Sequence, residues 1–224
     1  MGLLAPLGSK PTPTCEACLQ GKMTRSPFVG QMKRAKEVLE IVHTDVCGPF
    51  RVEARGGYSY FITFTDDYSR YGYVYLMKYK HESLEKFKEF KAEVEKKTGK
   101  GIKTLRSDRG GEYLSAVFDM FLKEHGIVSQ TTPPNTLQLN GVSERRNRTL
   151  LDMVRSMMSY IDFPLQMWGY ALLTAGHTLN RLHSKSVEAT PYEIWHGDKP
   201  SLNYLRAWGC SAYIKKIKTD KLEG

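Results

Sequence analysis

The sequence predicts an α/β domain, a mixed five-stranded sheet with helices packed on its faces. Short runs rich in β-branched and aromatic residues alternate, from residue 38 onward, with segments whose apolar residues fall at helical spacing. Strands that alternate with crossover helices favour a sheet covered by helices. Acidic residues also recur at strand ends and at the entrance of a late helix.

Residues 1–14 are Pro/Gly/Ser-rich and unpatterned, a leader or linker. Residues 15–37 carry Lys22, Arg25, Lys33, Arg34 and Lys36, a basic connector that is either a solvated linker or a phosphate-tracking arm. V-L-E-I-V-H-T-D-V (38–46) is a buried strand with Asp45 near its end. Residues 58–67 and 71–77, aromatic and β-branched around D-Y-S-R, form a hairpin in which Asp66 and Asp67 serve the turn. Leu84, Phe87, Phe90 and Val94 give the apolar face of a helix over 82–97, with Gly99 near its stop.

Residues 101–108 are a strand ending in Asp108, and R-G-G-E follows as a turn. Residues 112–125 form a helix with Val117, Phe118, Phe121 and Leu122 inward, and 127–131 form the last core strand. T-P-P-N-T-L-Q-L-N-G (132–141) is a loop leading into a helix over 140–158, with Leu150, Met153, Val154, Met157 and Met158 on its packed face. Glu144, Arg148, Leu151 and Arg155 share one flank of that helix. Pro164 opens a further helix through about residue 182, and 183–224 hold turns and short apolar clusters. Three regions are expected: 1–37, leader and connector; 38–160, core; 161–224, a helical extension whose end looks cut.

The 224 residues carry 41% hydrophobic residues, enough for a core, and no apolar run of membrane-spanning length. No signal peptide is expected at the N-terminus. A formal charge of +9 favours a polyanionic partner. Four cysteines without a disulfide-framework pattern fit a reducing compartment, and Cys47 and Cys210 are most simply small apolar residues. Cys15-x-x-Cys18 has the spacing of half a tetrahedral zinc site, so Zn²⁺ is expected only if histidine ligands come from elsewhere.

Taken alone, Glu144 and Arg148 make an ordinary i, i+4 surface pair. Asp45 and Asp108 change that reading. Placed on neighbouring strands, with the 140–158 helix bringing Glu144 beside them, three carboxylates would repel one another unless cations compensate. Mg²⁺ or Mn²⁺, in a pair of ions, is the natural compensation, and such ions support in-line displacement at phosphorus.

H-T-D-V-C-G-P, S-D-R-G-G-E-Y and N-G-V-S-E-R-R-N-R-T-L, with residues 109–143 as the thirty-five between the last two acids, resemble the D,D-35-E signature of retroviral-type integrases. The wording is most similar to the integrase of copia-type LTR retrotransposon Pol polyproteins. C-E-A-C-L-Q-G-K-M resembles the second half of that family's His-His-Cys-Cys zinc module. P-Y-E-I-W-H-G and L-R-A-W-G-C-S-A-Y resemble its segment beyond the core. The resemblance implies a ribonuclease-H-like core that trims the DNA ends of the element and joins them to target DNA. It implies Asp45, Asp108 and Glu144 as catalytic metal ligands, and Asn140, Arg145 and Arg148 as DNA contacts, with Arg148 on the better-placed flank. DNA ends and target duplex as partners, a homo-multimer on DNA, synthesis in the cytoplasm and action in the nucleus follow as further expectations. Asn135 and Leu137 replace a Gly and a Pro of the family's usual loop, and the paired histidines are absent. The alternatives are therefore a truncated, catalytically decayed DNA-binding remnant or, from the shared core chemistry, a nuclease for RNA–DNA hybrids.

Overall fold

The computed structural model describes residues 34–131, 141–184 and 186–211. All lie in the unit Met32–Gly224. Cys15, Cys18 and Asn140 fall outside the described residues, as does the 132–140 loop.

The elements run β1 (Ile41–Cys47), β2 (Tyr60–Asp66), β3 (Gly72–Met77), α1 (Ser83–Thr98), β4 (Thr104–Ser107), α2 (Ala116–Glu124), β5 (Val128–Thr131), α3 (Gly141–Tyr160), α4 (Trp168–Leu179) and α5 (Pro191–His196). They build the expected five-stranded sheet, in the order β3-β2-β1-β4-β5. β1, β2 and β3 pair antiparallel, while β4 pairs parallel with both β1 and β5. The sheet is mixed because a short turn joins β2 to β3, whereas helical crossovers join β3 to β4 and β4 to β5.

Strand alternation divides β2 between two cores. Ile62 and Phe64 pack with Phe87, Phe90 and Val94 of α1 and with Phe118 and Leu122 of α2. Phe61 packs with Leu150 and Val154 of α3 and with Trp168, Ala171, Leu172 and Ala175 of α4. The stacked Phe64 and Phe90 rings, 4.6 Å apart, centre the first core. Burying one such side chain contributes about 1.5–3 kcal/mol, so truncation at either ring would cost several times what a surface change does. α1 stops at Gly99, whose φ of 67° accepts the left-handed cap that a Cβ would disfavour.

Several boundaries differ from expectation for identifiable reasons. β1 starts at Ile41 because Leu39, at φ 66°, turns the chain and donates its N–H to Asp66 Oδ1 at 2.8 Å. The helix expected over 112–125 starts at Ala116, capped by Ser115, whose Oγ accepts the Phe118 N–H at 3.3 Å. This shorter helix, beside the edge strand β5, buries only the Phe118/Leu122 stripe, so Val117 is exposed rather than inward. The helix expected from Pro164 divides into a 3-10 turn, Leu165–Met167, and α4, which ends where the Asn180 side chain engages the Gly72 backbone. Cys47 packs half-buried in the second core, but Cys210 is exposed.

Asp66 serves the hairpin turn, accepting the Ser69 N–H and Oγ–H at 2.7 and 2.6 Å. Asp67 does more than that. It accepts from Ala35 N, from Arg70 Nη1 and from His43 Nε2 at 2.8, 2.9 and 3.0 Å. Burial alone would raise its pKa, but these donors hold the carboxyl well below the usual range. The result pins residue 35 to the sheet.

Candidate active site

Asp45 lies near the end of β1, opposite Thr63 of β2. The parallel β1–β4 register runs Ile41↔Thr104 to His43↔Arg106; Asp45 and Asp108 each lie two residues further on, and the Asp108 charge acts on Asp45. The strand reading of both acids thus becomes proximity. The Asp108 loop is held locally by the Gly110 N–H, which donates to Asp108 Oδ1 at 3.0 Å. Buried Tyr113 shares a 2.9 Å hydrogen bond with Thr44 and ties the same loop to β1. Burial pushes the Tyr113 hydroxyl well above its ordinary range, against the Thr44 hydrogen bond.

α3 supplies the third acid and a residue that the sequence reading missed. Glu144 lies in the first helical turn. One turn on, Asn147 donates Nδ2 to Asp45 Oδ2 at 2.9 Å and accepts from Thr63 Oγ1, also at 2.9 Å. Because the amide oxygen can only accept, the Thr63 hydroxyl fixes which way the amide points and aims its N–H at Asp45. Residues three apart on a helix are neighbours, so the clamp at Asn147 also brings Glu144 towards Asp45. The signal was legible. At about 100° per residue, Asn147 falls between the Glu144 flank and the Leu150 core face.

The electrostatics agree. Burial first, then the charges of Asp108 and Glu144, push the Asp45 carboxyl up to about 7, while the Asn147 hydrogen bond works against them. Burial and the charge of Asp45 likewise move the Cys47 thiol up to about 11, so it is neutral at pH 7. Removing the amide in Asn147→Ala is expected to raise the Asp45 pKa above its present value, read by carboxyl carbon-13 NMR titration. An unchanged titration would show that the amide does not tune this carboxylate.

An all-oxygen donor set with one carboxylate under same-sign pressure suits a hard divalent cation. Among the described residues, however, no three His, Cys, Asp or Glu side chains form a ready-made coordination cluster. Arg145 and Arg148 are both exposed on α3. Arg148 shares the Glu144 flank, whereas Arg145 turns to a cavity on the other side. No helix among the described residues is long and apolar enough to cross a membrane.

Comparison with known proteins fits this geometry. Residues 35–136 match the integrase core domain family. The chain is 41% identical, over 93% of its length, to the Retrovirus-related Pol polyprotein from transposon TNT 1-94 of Nicotiana tabacum. It is 31% identical over 94% to the corresponding polyprotein from transposon RE2 of Arabidopsis thaliana. The chain spans 16% and 14% of the length of these two relatives. Among solved structures, the simian T-cell lymphotropic virus intasome, in complex with a PP2A regulatory subunit, aligns with a TM-score of 0.61 at 19% identity, covering 86% of this chain and 64% of that one. The HTLV-2 integrase catalytic core, solved with magnesium in a trimeric form, aligns at 0.55 and 21%, covering 73% and 100%. These two share the ribonuclease-H-like fold with the present sheet and helices. Fold, domain match and sequence agree that residues 35–136 match the integrase core domain and that most of the chain is similar to part of the Pol polyproteins of copia-type plant retrotransposons.

Proposed function

We propose that this chain is the DNA-joining core of a retrotransposon integrase, which trims the element's 3′ ends and transfers them to target DNA at Asp45, Asp108 and Glu144. The observation that carries the reading is the Asn147 clamp on Asp45, which sets the Glu144 helix against the strand pair bearing the two aspartates. Two Mg²⁺ or Mn²⁺ ions held by the three carboxylates would activate the attacking oxygen and stabilise the leaving one in an in-line displacement. Asn147 holds Asp45 Oδ2, and the Gly110 N–H holds Asp108 Oδ1, so both acids are oriented before any ligand arrives. Arg148, exposed on the Glu144 flank, meets the incoming phosphodiester backbone, with Asn140 and Arg145 as further contacts. Residues 38–160 form the catalytic core, and 161–224 extend it. We extend the reading to a homo-multimer on two DNA ends acting in the nucleus. A zinc site at Cys15 and Cys18 would need histidine ligands supplied from elsewhere.

The assay is strand transfer of a labelled 3′ end into plasmid DNA. Product is expected with Mg²⁺ or Mn²⁺, none in EDTA, and none from Glu144→Gln. One observation favours a second reading, a DNA-binding remnant without activity: the three acids are not assembled into a coordination cluster among the described residues. The remnant predicts DNA binding with no product from either protein, so equal behaviour of wild type and Glu144→Gln ends the enzyme reading.

A further inference from the structure

α3 has two working sides. Its 100° step puts Glu144, Asn147 and Arg148 on one side and Val142, Arg145 and Arg146 on the other. The second side walls an open cavity of about 440 Å³, lined also by Arg70 of the β2–β3 turn and by Leu179, Leu182, His183 and Pro191. We infer that this cavity binds the phosphate group of a nucleotide, at a site separate from the three carboxylates and independent of them.

Charge comes first. Arg70, Arg145, Arg146 and His183 line the cavity, and none of its described lining residues is acidic. Burial lowers the Arg70 pKa, the charge of Asp67 works against it, and the charges of Arg34 and then Arg145 lower it further, so Arg145 is within electrostatic reach of Arg70. Arg70 is paired with Asp67 behind the wall, but among the described residues no carboxylate pairs with Arg145 or Arg146, and cationic side chains so placed call for an anion. Arg70 occupies the left-handed region at φ 63°, a conformation uncommon for an arginine. The turn thus accepts backbone strain while holding a guanidinium between Asp67 and the cavity.

Unused hydrogen-bonding capacity comes second. Thr65, only 1% exposed, lines the cavity, and its Oγ1 has no hydrogen-bond partner. Arg146, 8% exposed, spends its terminal nitrogens on carbonyl and amide oxygens, yet its Nε is also without a partner. Buried polar atoms are ordinarily satisfied, and here three, Arg70 Nε included, belong to residues in the wall of one basic cavity.

Shape comes third. The volume exceeds what a bare phosphate fills and lies in the range of small-ligand sites. Val142, Leu179 and Leu182 supply an apolar wall for the sugar and base. The nucleotide could be free or part of a DNA strand, and the chemistry is the same.

The test uses the whole chain in EDTA, so that the carboxylate site is silent. Calorimetric titration with deoxyadenosine monophosphate should show saturable binding, tighter than inorganic phosphate. Thr65→Val should weaken it at least fivefold, with Tm unchanged or raised, because the lost hydroxyl had no partner in the fold. Arg145→Ala should weaken it about tenfold, and Asp45→Asn should leave it alone. If Thr65→Val weakens DNA binding in parallel, and the nucleotide competes with DNA, the occupant is a strand nucleotide. If DNA affinity is unmoved, it is a free nucleotide. Absence of nucleotide binding together with an unmoved DNA affinity, indifference of nucleotide binding to both cavity variants, or its loss in Asp45→Asn, would each overturn the inference.

Discussion

Asp45→Asn is expected to abolish strand transfer, a loss of more than about 10³-fold in rate, while making the metal-free protein more stable above neutral pH. Burial and the charges of Asp108 and Glu144 put the folded-state Asp45 pKa at about 7, against 3.8 for an unperturbed aspartate. An acid whose pKa is raised by folding has lost stability wherever it ionises. Below about pH 4 the carboxyl is protonated in both states and carries no penalty. Between 3.8 and about 7 the unfolded chain ionises first, so folding weakens as pH rises. Above about 7 the penalty is complete. At about 1.4 kcal/mol per pH decade, and with partial solvent access discounted, it comes to about 2–4 kcal/mol. Asparagine removes the charge, and its amide oxygen still accepts from Asn147. Urea unfolding in EDTA should therefore favour Asp45→Asn at pH 8 and show the gap closing towards pH 4. A pH-independent difference would mean that burial and repulsion do not act on this carboxylate. Mg²⁺ should stabilise the wild type at pH 8 and do little for the variant, since only a protein holding the charged cluster gains from the cation.

That trade of stability against function shows why some of the site was readable from the residues alone. Asp45 and Asp108 end short apolar strands, and Glu144 opens an amphipathic helix, so local pattern places each acid on its element. What local pattern does not give is who stands next to whom. The pairing of β1 with β4 joins residues 63 apart in sequence, as Ile41 and Thr104 show. Asn147 escaped notice because an asparagine on a helix reads as solvated, and its two partners lie on β1 and β2. Arg146 was hidden for the same reason. A charged residue on a helix is normally exposed, yet this one is buried against oxygens from the β2–β3 turn and from Asn180. Asp67 shows the converse: the turn role was legible, but its bonds to His43 and Ala35 depend on the assembled sheet.

Arg146 also accounts for the other large effect, on stability. Its Nη1 donates to the Arg70 carbonyl at 3.1 Å, and its Nη2 donates to the Gly72 carbonyl and to Asn180 Oδ1 at 3.2 and 2.7 Å. Asn180 in turn accepts the Gly72 N–H and donates to the Gly72 carbonyl, so α3, β3 and the end of α4 meet at one glycine. Burial lowers the Arg146 pKa to about 10, which still leaves the group charged at pH 7. Arg146→Ala leaves the Arg70 carbonyl without this donor and opens a void, for an expected loss of about 3–5 kcal/mol. Gly72→Ala fails by a different route, because its new Cβ would overlap the Arg146 guanidinium. A loss of about 2–3 kcal/mol is expected from that crowding. Combining them removes the clash along with the arginine, so the double variant should be about 2 kcal/mol more stable than the summed single losses imply. A urea double-mutant cycle measures this directly, and additive losses would mean that the guanidinium does not fill the space beside Gly72. Since Glu144 and Arg146 sit two residues apart in the same first turns, the single variants should also lower strand transfer by displacing the helix that carries the third acid.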